Sequence, residues 1–216
     1  MSRTERHDEA EDQALVEAIR RGEQEAWTTL LTRYQDRLFG VCLRMVGDRD
    51  LAADLTQEAM VKIIQGLDTY DGRSRLSTWL IRVTMNVCLS RMRSERLRRH
   101  ASLDTAPDGP GSFPGAPSSV EPTGHSGVER REQRQQLADA LLSVNADHRS
   151  ILILRDVRGL DYEQIGEALG IAVGTVKSRL FRARLALRRV LEREQDSSDS
   201  SESHHPASGQ QRHEDR

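Results

Sequence analysis

The sequence has few aromatic residues, few cysteines and no long apolar runs. Aromatic residues make up only 4% of the 216 residues, so a core must rest on Leu, Ile, Val and Ala. Cys42 and Cys88 are too few for a disulfide framework and lack the CxxC or Cys-His spacing of a zinc site. No stretch reaches the roughly 18 apolar residues of a membrane span, and the N-terminus lacks a signal peptide's apolar run. We therefore expect a cytoplasmic protein that holds no metal or cofactor.

Proline is scarce as well, and five of the six prolines lie in one stretch between residues 101 and 127. Together with Gly and Ser, they predict a flexible linker over residues 100–128. Both flanks of the linker have helical periodicity. The expected helices cover about 12–21, 24–46, 50–67, 75–99, 129–142, 146–157, 162–169 and 174–193.

This pattern predicts an all-α fold of two small helical domains, residues 12–99 and 129–193. We expect residues 1–12 to be frayed, and residues 194–216 to form a disordered acidic tail because they are rich in Ser, His and acidic residues. Asp48 and Asp50 are candidate N-caps, and Gly22, Gly47 and Gly72 interrupt the helices of the first domain.

The net charge of −2 hides an uneven distribution. Residues 129–193 carry 13 basic and nine acidic groups, whereas residues 194–216 carry two and six. In the first domain, the segment from Arg91 to Arg99 holds five arginines and one glutamate. Basic patches between acidic segments indicate a polyanionic partner.

Residues 162–181 have the pattern of a helix-turn-helix. Gly166 is small where the second helix must cross the first, and Gly170 suits a turn that needs a positive φ. On the second helix, Val176, Leu180 and Ala183 share one face. The opposite face and its flanks are basic, with Phe181 among the arginines. A solvated cationic face would be the ordinary interpretation, but the aromatic residue and the turn favour insertion into the major groove of DNA.

Two helices of the first domain have unusual outer faces. On residues 50–67, one narrow face is polar apart from a single valine, Val61. Such a face, here called the stripe, suits contact with solvent or with a partner helix. Its polar members are Asp54, Gln57, Glu58 and Gln65. Residues 75–99 carry a ridge that suits phosphate contacts and base stacking. The ridge consists of Arg75, Trp79, Arg82, Asn86, Arg93 and Arg96. Alternatively, Trp79 is half-buried against a neighbouring helix.

Together these segments resemble the sigma-70 family of bacterial transcription initiation factors, and the two-domain layout resembles its extracytoplasmic-function (ECF) subgroup. The resemblance rests on AADLTQEAMVKI (Ala52 to Ile63), RLSTWLIRVTMNVCLSRMR (Arg75 to Arg93) and LDYEQIGEALGIAVGTVKSRLFRARLAL (Leu160 to Leu187). It implies a factor that binds RNA polymerase core and directs it to promoters, for a stress or envelope response. Phosphodiester synthesis would then belong to the polymerase, and the chain itself would not be an enzyme.

The resemblance also implies roles for particular residues. Asp54, Gln57 and Glu58, with Val61, would dock on the clamp helices of the largest polymerase subunit. Trp79, Arg82 and Asn86 match positions that open and read the promoter −10 element. The recognition helix would read the −35 element, and an anti-sigma factor is an expected partner. The residues carried over for −35 reading are Thr175, Lys177, Ser178, Arg179, Phe181, Arg182 and Arg184.

Two features depart from the family pattern, and two other classes of protein remain open. Ser90 stands near a position where the family often has an acidic residue, and the acidic tail lies outside the common pattern. A helix-turn-helix regulator that is not a sigma factor is the first alternative, although it would need neither the stripe nor the ridge. An enzyme is the second, although the chain has no GxxxxGK[ST] or GxGxxG phosphate loop.

Overall fold

The computed structural model describes residues 3–102 and 125–202, and all regular structure within them is helical. The N-terminal block, as we call residues 3–102, contains α1 (Arg3–Arg20), α2 (Gln24–Val46), α3 (Arg49–Gly66) and α4 (Leu76–Ser102). The C-terminal block, residues 125–202, contains α5 (His125–Ser143), α6 (Ala146–Leu152), α7 (Tyr162–Leu169) and α8 (Val173–Glu202). The predicted all-α fold is confirmed.

Local sequence signals account for several helix ends. Asp48 caps α3 by accepting a hydrogen bond from the Leu51 N–H at 2.7 Å, as one of the two candidate N-caps predicted. Gly47 ends α2 in the left-handed region with φ 76° and donates its N–H to the Leu43 carbonyl. The glycine therefore allows the sharp turn that brings α3 back along α2.

Helix α1 begins earlier than predicted, because its polar residues have partners on α2. The prediction of a frayed segment over residues 1–12 is wrong from Arg3 onward. Asp12 is buried and accepts hydrogen bonds from the Tyr34 hydroxyl and, at 3.2 Å, from Arg33. Hydrogen bonds to α2 thus hold the middle of α1 in place, ahead of its buried apolar residues.

Two further boundaries differ from the sequence prediction. Helix α5 starts at His125, and α8 continues to Glu202, so the tail is helical over residues 194–202. Neither Gly nor Pro interrupts the chain between Gly174 and Pro206, and this explains the extension. The predicted linker between residues 103 and 124, and the tail from residue 203, lie outside the described residues.

The predicted helix 146–157 changes character after about two turns of α-helix. Residues Ile153–Val157 form a π-helical turn, in which the Arg158 N–H reaches the Ile153 carbonyl at 3.0 Å. The wider turn rotates the following residues relative to α6. It leads through Gly159, with φ 71°, into α7.

Two apolar clusters hold the helices together, and one of them crosses both blocks. The first lies within the N-terminal block and includes Leu38, Ile63 and Leu80. The second joins Met85 of α4 and its neighbours on α2 and α3 to residues such as Ile151 of α6. The two blocks therefore share buried apolar surface, which the prediction of two independently tethered domains did not include.

Candidate nucleic-acid interface

Helices α7 and α8 form the helix-turn-helix. Asp161 and Gln164 form a capping box at the start of α7, with hydrogen bonds of 2.7 and 3.0 Å between side chains and backbone N–H groups. Gly170 ends α7 with φ 65° and donates its N–H to the Gly166 carbonyl, which also accepts the Ile171 N–H at 2.9 Å. The turn chemistry predicted at Gly170 is confirmed.

Gly166 lies where the turn passes closest to α7. A Cβ atom built there would be 2.8 Å from the backbone oxygen of Ile171, nearer than real Cβ contacts allow. A glycine at this position thus fixes the distance between α7 and the turn. We expect that distance to set the angle at which α8 leaves the block.

Helix α8 presents one apolar face to the core and one polar face to solvent. Val176, Leu180 and Ala183 are buried, as predicted. On the opposite side Phe181 is 71% exposed, and Ser178 and Arg182 are exposed beside it. An exposed phenylalanine among basic residues provides an apolar contact, of the kind that thymine methyl groups accept in the major groove.

The other residues predicted on the recognition face have distinct surroundings. Thr175 and Arg179 are half-buried. Lys177 is exposed, and its Nζ lies 5.7 Å from the centre of the Tyr162 ring. Arg184 pairs with Asp156, and this hydrogen bond raises the pKa of Arg184 above its ordinary value. Arg184 is therefore partly neutralised at the flank of the face.

The ridge on α4 is only partly open. Asn86, Arg93 and Arg96 are exposed, whereas Arg75 lies 3.9 Å from Glu9 of α1. Arg82 donates to Glu167 of α7 at 2.7 Å, across the two blocks. Four of these five side chains therefore lie on α4 and Arg75 lies directly before it, and only part of the set is open to solvent.

Trp79 is a core residue in this structure. Its side chain is 5% exposed, its ring centre lies 5.8 Å from that of Tyr70, and its six-membered ring lies close to Gly66. The alternative in which Trp79 packs against neighbouring helices is therefore the observed arrangement. Its ring is not available for base stacking in this conformation, which corrects the grouping of Trp79 with the open residues of the ridge.

The stripe on α3 is exposed along its length and wider than predicted. Asp54, Gln57, Glu58 and Val61 all face solvent, with Val61 50% exposed. Ile64, which is not part of the predicted stripe, is 45% exposed. Ile64 lies three residues after Val61, so the two form one apolar patch beside the carboxylates.

A cleft of about 910 Å³ separates the arginine-bearing faces of α4 and α8. Arg93 and Arg96 lie on one wall, and Arg179 and Arg182 lie on the other. His148 lies between them, and its pKa is lowered, first by burial and then by the charges of Arg182 and Arg179. The cleft therefore has a positive potential that suits an anionic ligand.

Arg149 joins the two blocks, and sequence reasoning missed it. Its guanidinium donates to the carbonyls of Leu141, Leu142 and Val144 at the end of α5, and also to the Met45 carbonyl at the end of α2. Burial lowers the pKa of Arg149 to about 10, so it stays charged at neutral pH. A positive charge beside the C-terminal carbonyls of two helices is stabilising. No sequence pattern, however, identifies an arginine that binds the end of a helix in another block.

The cysteines and the remaining polar groups offer no metal site within the described ranges. Cys42 and Cys88 are buried with their Sγ atoms 3.7 Å apart, on α2 and α4. Among residues 3–102 and 125–202, no group of three His, Cys, Asp or Glu side chains could hold a metal ion. Over the same residues, no helix is both long and apolar enough to cross a bilayer.

The structure thus defines the class of the protein as an all-α protein with a helix-turn-helix. Comparisons with known families identify it further. Residues 30–98 match the family model of sigma-70 region 2, and residues 134–187 match that of sigma-70 region 4. The chain belongs to the sigma-70 family, within the ECF group, and is an RNA polymerase sigma factor for promoter-specific initiation of transcription.

Individual relatives agree with this assignment. The chain is 33% identical over 184 residues to the RNA polymerase sigma-H factor of Pseudomonas aeruginosa, a match that covers 84% of this chain and 94% of the relative. It is also 33% identical over 177 residues to the ECF RNA polymerase sigma-E factor of Escherichia coli, a match that covers 82% of this chain and 92% of the relative. Matches to both sigma regions favour a sigma factor over a regulator of another class.

Solved structures show the same fold. The sigma factor RpoE in complex with the anti-sigma factor NepR, from Bartonella quintana, matches with a TM-score of 0.56 and 26% identity, over 76% of this chain and 96% of that chain. CnrH in complex with the cytosolic domain of CnrY matches in fold with a TM-score of 0.57 and 22% identity. This match covers 84% of this chain and 97% of that chain.

Proposed function

We propose that the sigma factor docks on RNA polymerase core through the stripe on α3. Asp54, Gln57, Glu58 and Val61 are the docking residues, and Ile64 extends their apolar contact. The observation that carries the proposal is the exposed pair of Val61 and Ile64 flanked by carboxylates. Such a surface suits a basic, amphipathic partner, as the clamp helices of the largest subunit are expected to be.

The DNA contacts are divided between the two blocks. Residues 12–99 form the domain for core binding and the −10 element, with Arg75, Arg82, Asn86, Arg93 and Arg96 as its contacts. Trp79 supports the ridge from the core, and a stacking role would require it to leave its contact with Tyr70. Residues 129–193 form the −35 domain. Its contacts are Thr175, Lys177, Ser178, Arg179, Phe181, Arg182 and Arg184.

The recognition helix has a central and a flanking part. Ser178, Phe181 and Arg182 lie near the centre of the exposed face and are the base-reading residues. Lys177 and Arg184 lie at its flanks, where a charge meets phosphate and strengthens binding to all sequences alike. An anti-sigma factor is a further partner, supported by the complex of the similar sigma factor RpoE with NepR.

Pull-down with purified core polymerase tests the docking surface. We expect Asp54→Arg combined with Glu58→Arg to lose most core binding, because both substitutions place cations where carboxylates face the partner. Glu25→Arg combined with Asp36→Arg is the matched control, since it changes the net charge equally at exposed positions on α2. Equal retention of the two double variants would contradict the assignment of the α3 surface.

A further inference from the structure

Three arginine side chains lie close together where α2 contacts the segment that follows the π-helical turn. Arg37 and Arg44 lie about two helical turns apart on α2, and both are exposed. Arg158 directly follows the π-helical turn, and its Nη2 donates to the Arg37 carbonyl. Three guanidinium groups from two separate stretches of the chain thus share one region of the surface.

Gly40 provides space between two of these groups. A Cβ atom built at Gly40 would lie 3.0 Å from Nη1 of Arg44 and 3.7 Å from Nη2 of Arg158. Both guanidinium groups therefore lie over the same glycine, near enough for the oxygens of one phosphate group to contact both. Any larger residue at position 40 would fill part of this space.

The three positive charges have no paired negative charge within the described part of the chain. Among the side chains that the structure describes, no carboxylate forms an ion pair with Arg37, Arg44 or Arg158. The pKa of Arg158 falls to about 10, first because of burial and then because of the charges of Arg44 and Arg37. Like charges this close repel each other, so an anion bound between them would replace repulsion with attraction.

The hydrogen-bond donors of the three arginines are also largely unused. Arg44 donates to the Gly40 carbonyl at 2.8 Å, and the guanidinium of Arg37 lies 5.5 Å from the centre of the Tyr34 ring. The Nε of Arg158 is buried and has no hydrogen-bond partner among the described residues. A buried donor without a partner is rare and costs stability, so each instance needs an explanation. The cluster therefore combines charge, donors and space of the kind that an oxyanion fits.

We propose that Arg37, Arg44 and Arg158 form a binding site for a small phosphate-bearing anion, either free diphosphate or the diphosphate group of a nucleotide. Guanidinium groups match the paired oxygens of a phosphate, and three of them offset much of the charge of a diphosphate. None of the three arginines belongs to the stripe, the ridge or the recognition face, so the site goes beyond the proposed function. Arg158 is half-buried, which favours a small anion over the extended backbone of a nucleic acid.

Calorimetric titration of the full chain with inorganic diphosphate at low salt tests the site. We expect Arg158→Gln to lose about tenfold or more in affinity, because it removes a charged hydrogen-bond donor. Arg189→Gln is the matched control, since it removes an exposed arginine of α8 that pairs with no described carboxylate. The proposal is overturned if the wild-type chain binds diphosphate no more tightly than Arg158→Gln, or if the two variants lose the same affinity.

Gly40→Ala tests the space between the guanidinium groups without a change of charge. Its methyl group would displace the ends of Arg44 and Arg158, so we expect a loss of diphosphate affinity smaller than that of Arg158→Gln. The helix should not suffer, because alanine favours a helix interior more than glycine does. Circular dichroism during heating checks that each variant is folded. A folded Gly40→Ala chain that binds diphosphate as tightly as the wild type would contradict the site.

Two further ligands distinguish the sources of the phosphate group. Tighter binding of ADP than of diphosphate, lost in Arg158→Gln, would support a nucleotide as the ligand. Equal or weaker binding of ADP, with the same dependence on Arg158, would support free diphosphate. If neither small anion binds and single-stranded DNA loses affinity in Arg158→Gln, the arginines contact nucleic acid and the proposal is overturned.

Discussion

Arg182 and Lys177 lie on the same helix but have different surroundings, and this predicts different roles. Arg182 lies near the centre of the exposed face and reaches only the Ser178 carbonyl, at 3.3 Å, whereas Lys177 lies at the flank beside the Tyr162 ring. We expect Arg182→Ala to lose about 1–3 kcal/mol of discrimination at one or two −35 positions. Lys177→Ala should weaken binding to all sequences alike and lower the salt slope by about one.

The measurement is a salt series on matched and mismatched −35 duplexes with the full chain. The expected signature of Arg182→Ala is a smaller difference between the duplexes. If this variant instead loses the same affinity on every duplex, Arg182 contacts phosphate, and the base-reading face lies elsewhere on α8.

The two cysteines pack against each other and should be dispensable for transcription. The hydrogen bond between Cys88 and Cys42, together with burial, raises the pKa of the Cys88 thiol, so this thiol is protonated at neutral pH. We expect Ser at either position to cost about 1–3 kcal/mol of unfolding free energy if its hydroxyl goes unpaired, and both variants to stay active. Urea unfolding and transcription assays check this. An oxidant response that disappears in a normally folded variant would show redox sensing instead.

At the residue level, the sequence predicted the inner and outer faces of α8 but could not place Trp79 or Ile64. Helical periodicity separates two faces and says little about residues at their border. Trp79 is large enough to belong to either face, and its burial depends on Tyr70 and Gly66, which lie elsewhere in the chain. Only the packed structure decides such positions.

The helix-turn-helix depends on the absence of a side chain at Gly166. We expect Gly166→Ala to destabilise the C-terminal block by about 1–3 kcal/mol, because its Cβ would meet the Ile171 oxygen at 2.8 Å and push the turn away. Gly174→Ala is the control, since that position in α8 has open space around it. Alanine there should instead stabilise the helix by about 0.5–1 kcal/mol.

Thermal unfolding and −35 binding of the two variants check this expectation. If Gly166→Ala is as stable as Gly174→Ala and binds DNA equally well, α7 and the turn have room to relax. The distance between them would then not set the angle of α8.

At the level of elements, most helices could be predicted, but several of their ends could not. Periodic apolar residues and Asp48 gave the position of α3 to within a residue. The early start of α1 depends on Asp12 meeting Tyr34 and Arg33, which are distant in sequence. The π-helical turn over Ile153–Val157 has no signal in the local pattern, because the same apolar residues also fit an α-helix.

At the level of the whole molecule, the sequence predicted two helical units but not their contact. Periodicity shows which face of a helix is buried without showing what covers it. Residues of its own block could have buried Ile151, but Ile151 belongs to the same apolar cluster as Met85 of α4. The role of Arg149 in joining the blocks likewise depends on a carbonyl 104 residues away.

The most direct test of the account is run-off transcription with purified core polymerase and this chain. The template is a promoter found by sequencing transcripts after controlled overexpression. We predict a transcript from a defined start that needs both components and is lost with Asp54→Arg combined with Glu58→Arg. A chain that binds the promoter DNA without core and yields no specific transcript with core would contradict the account.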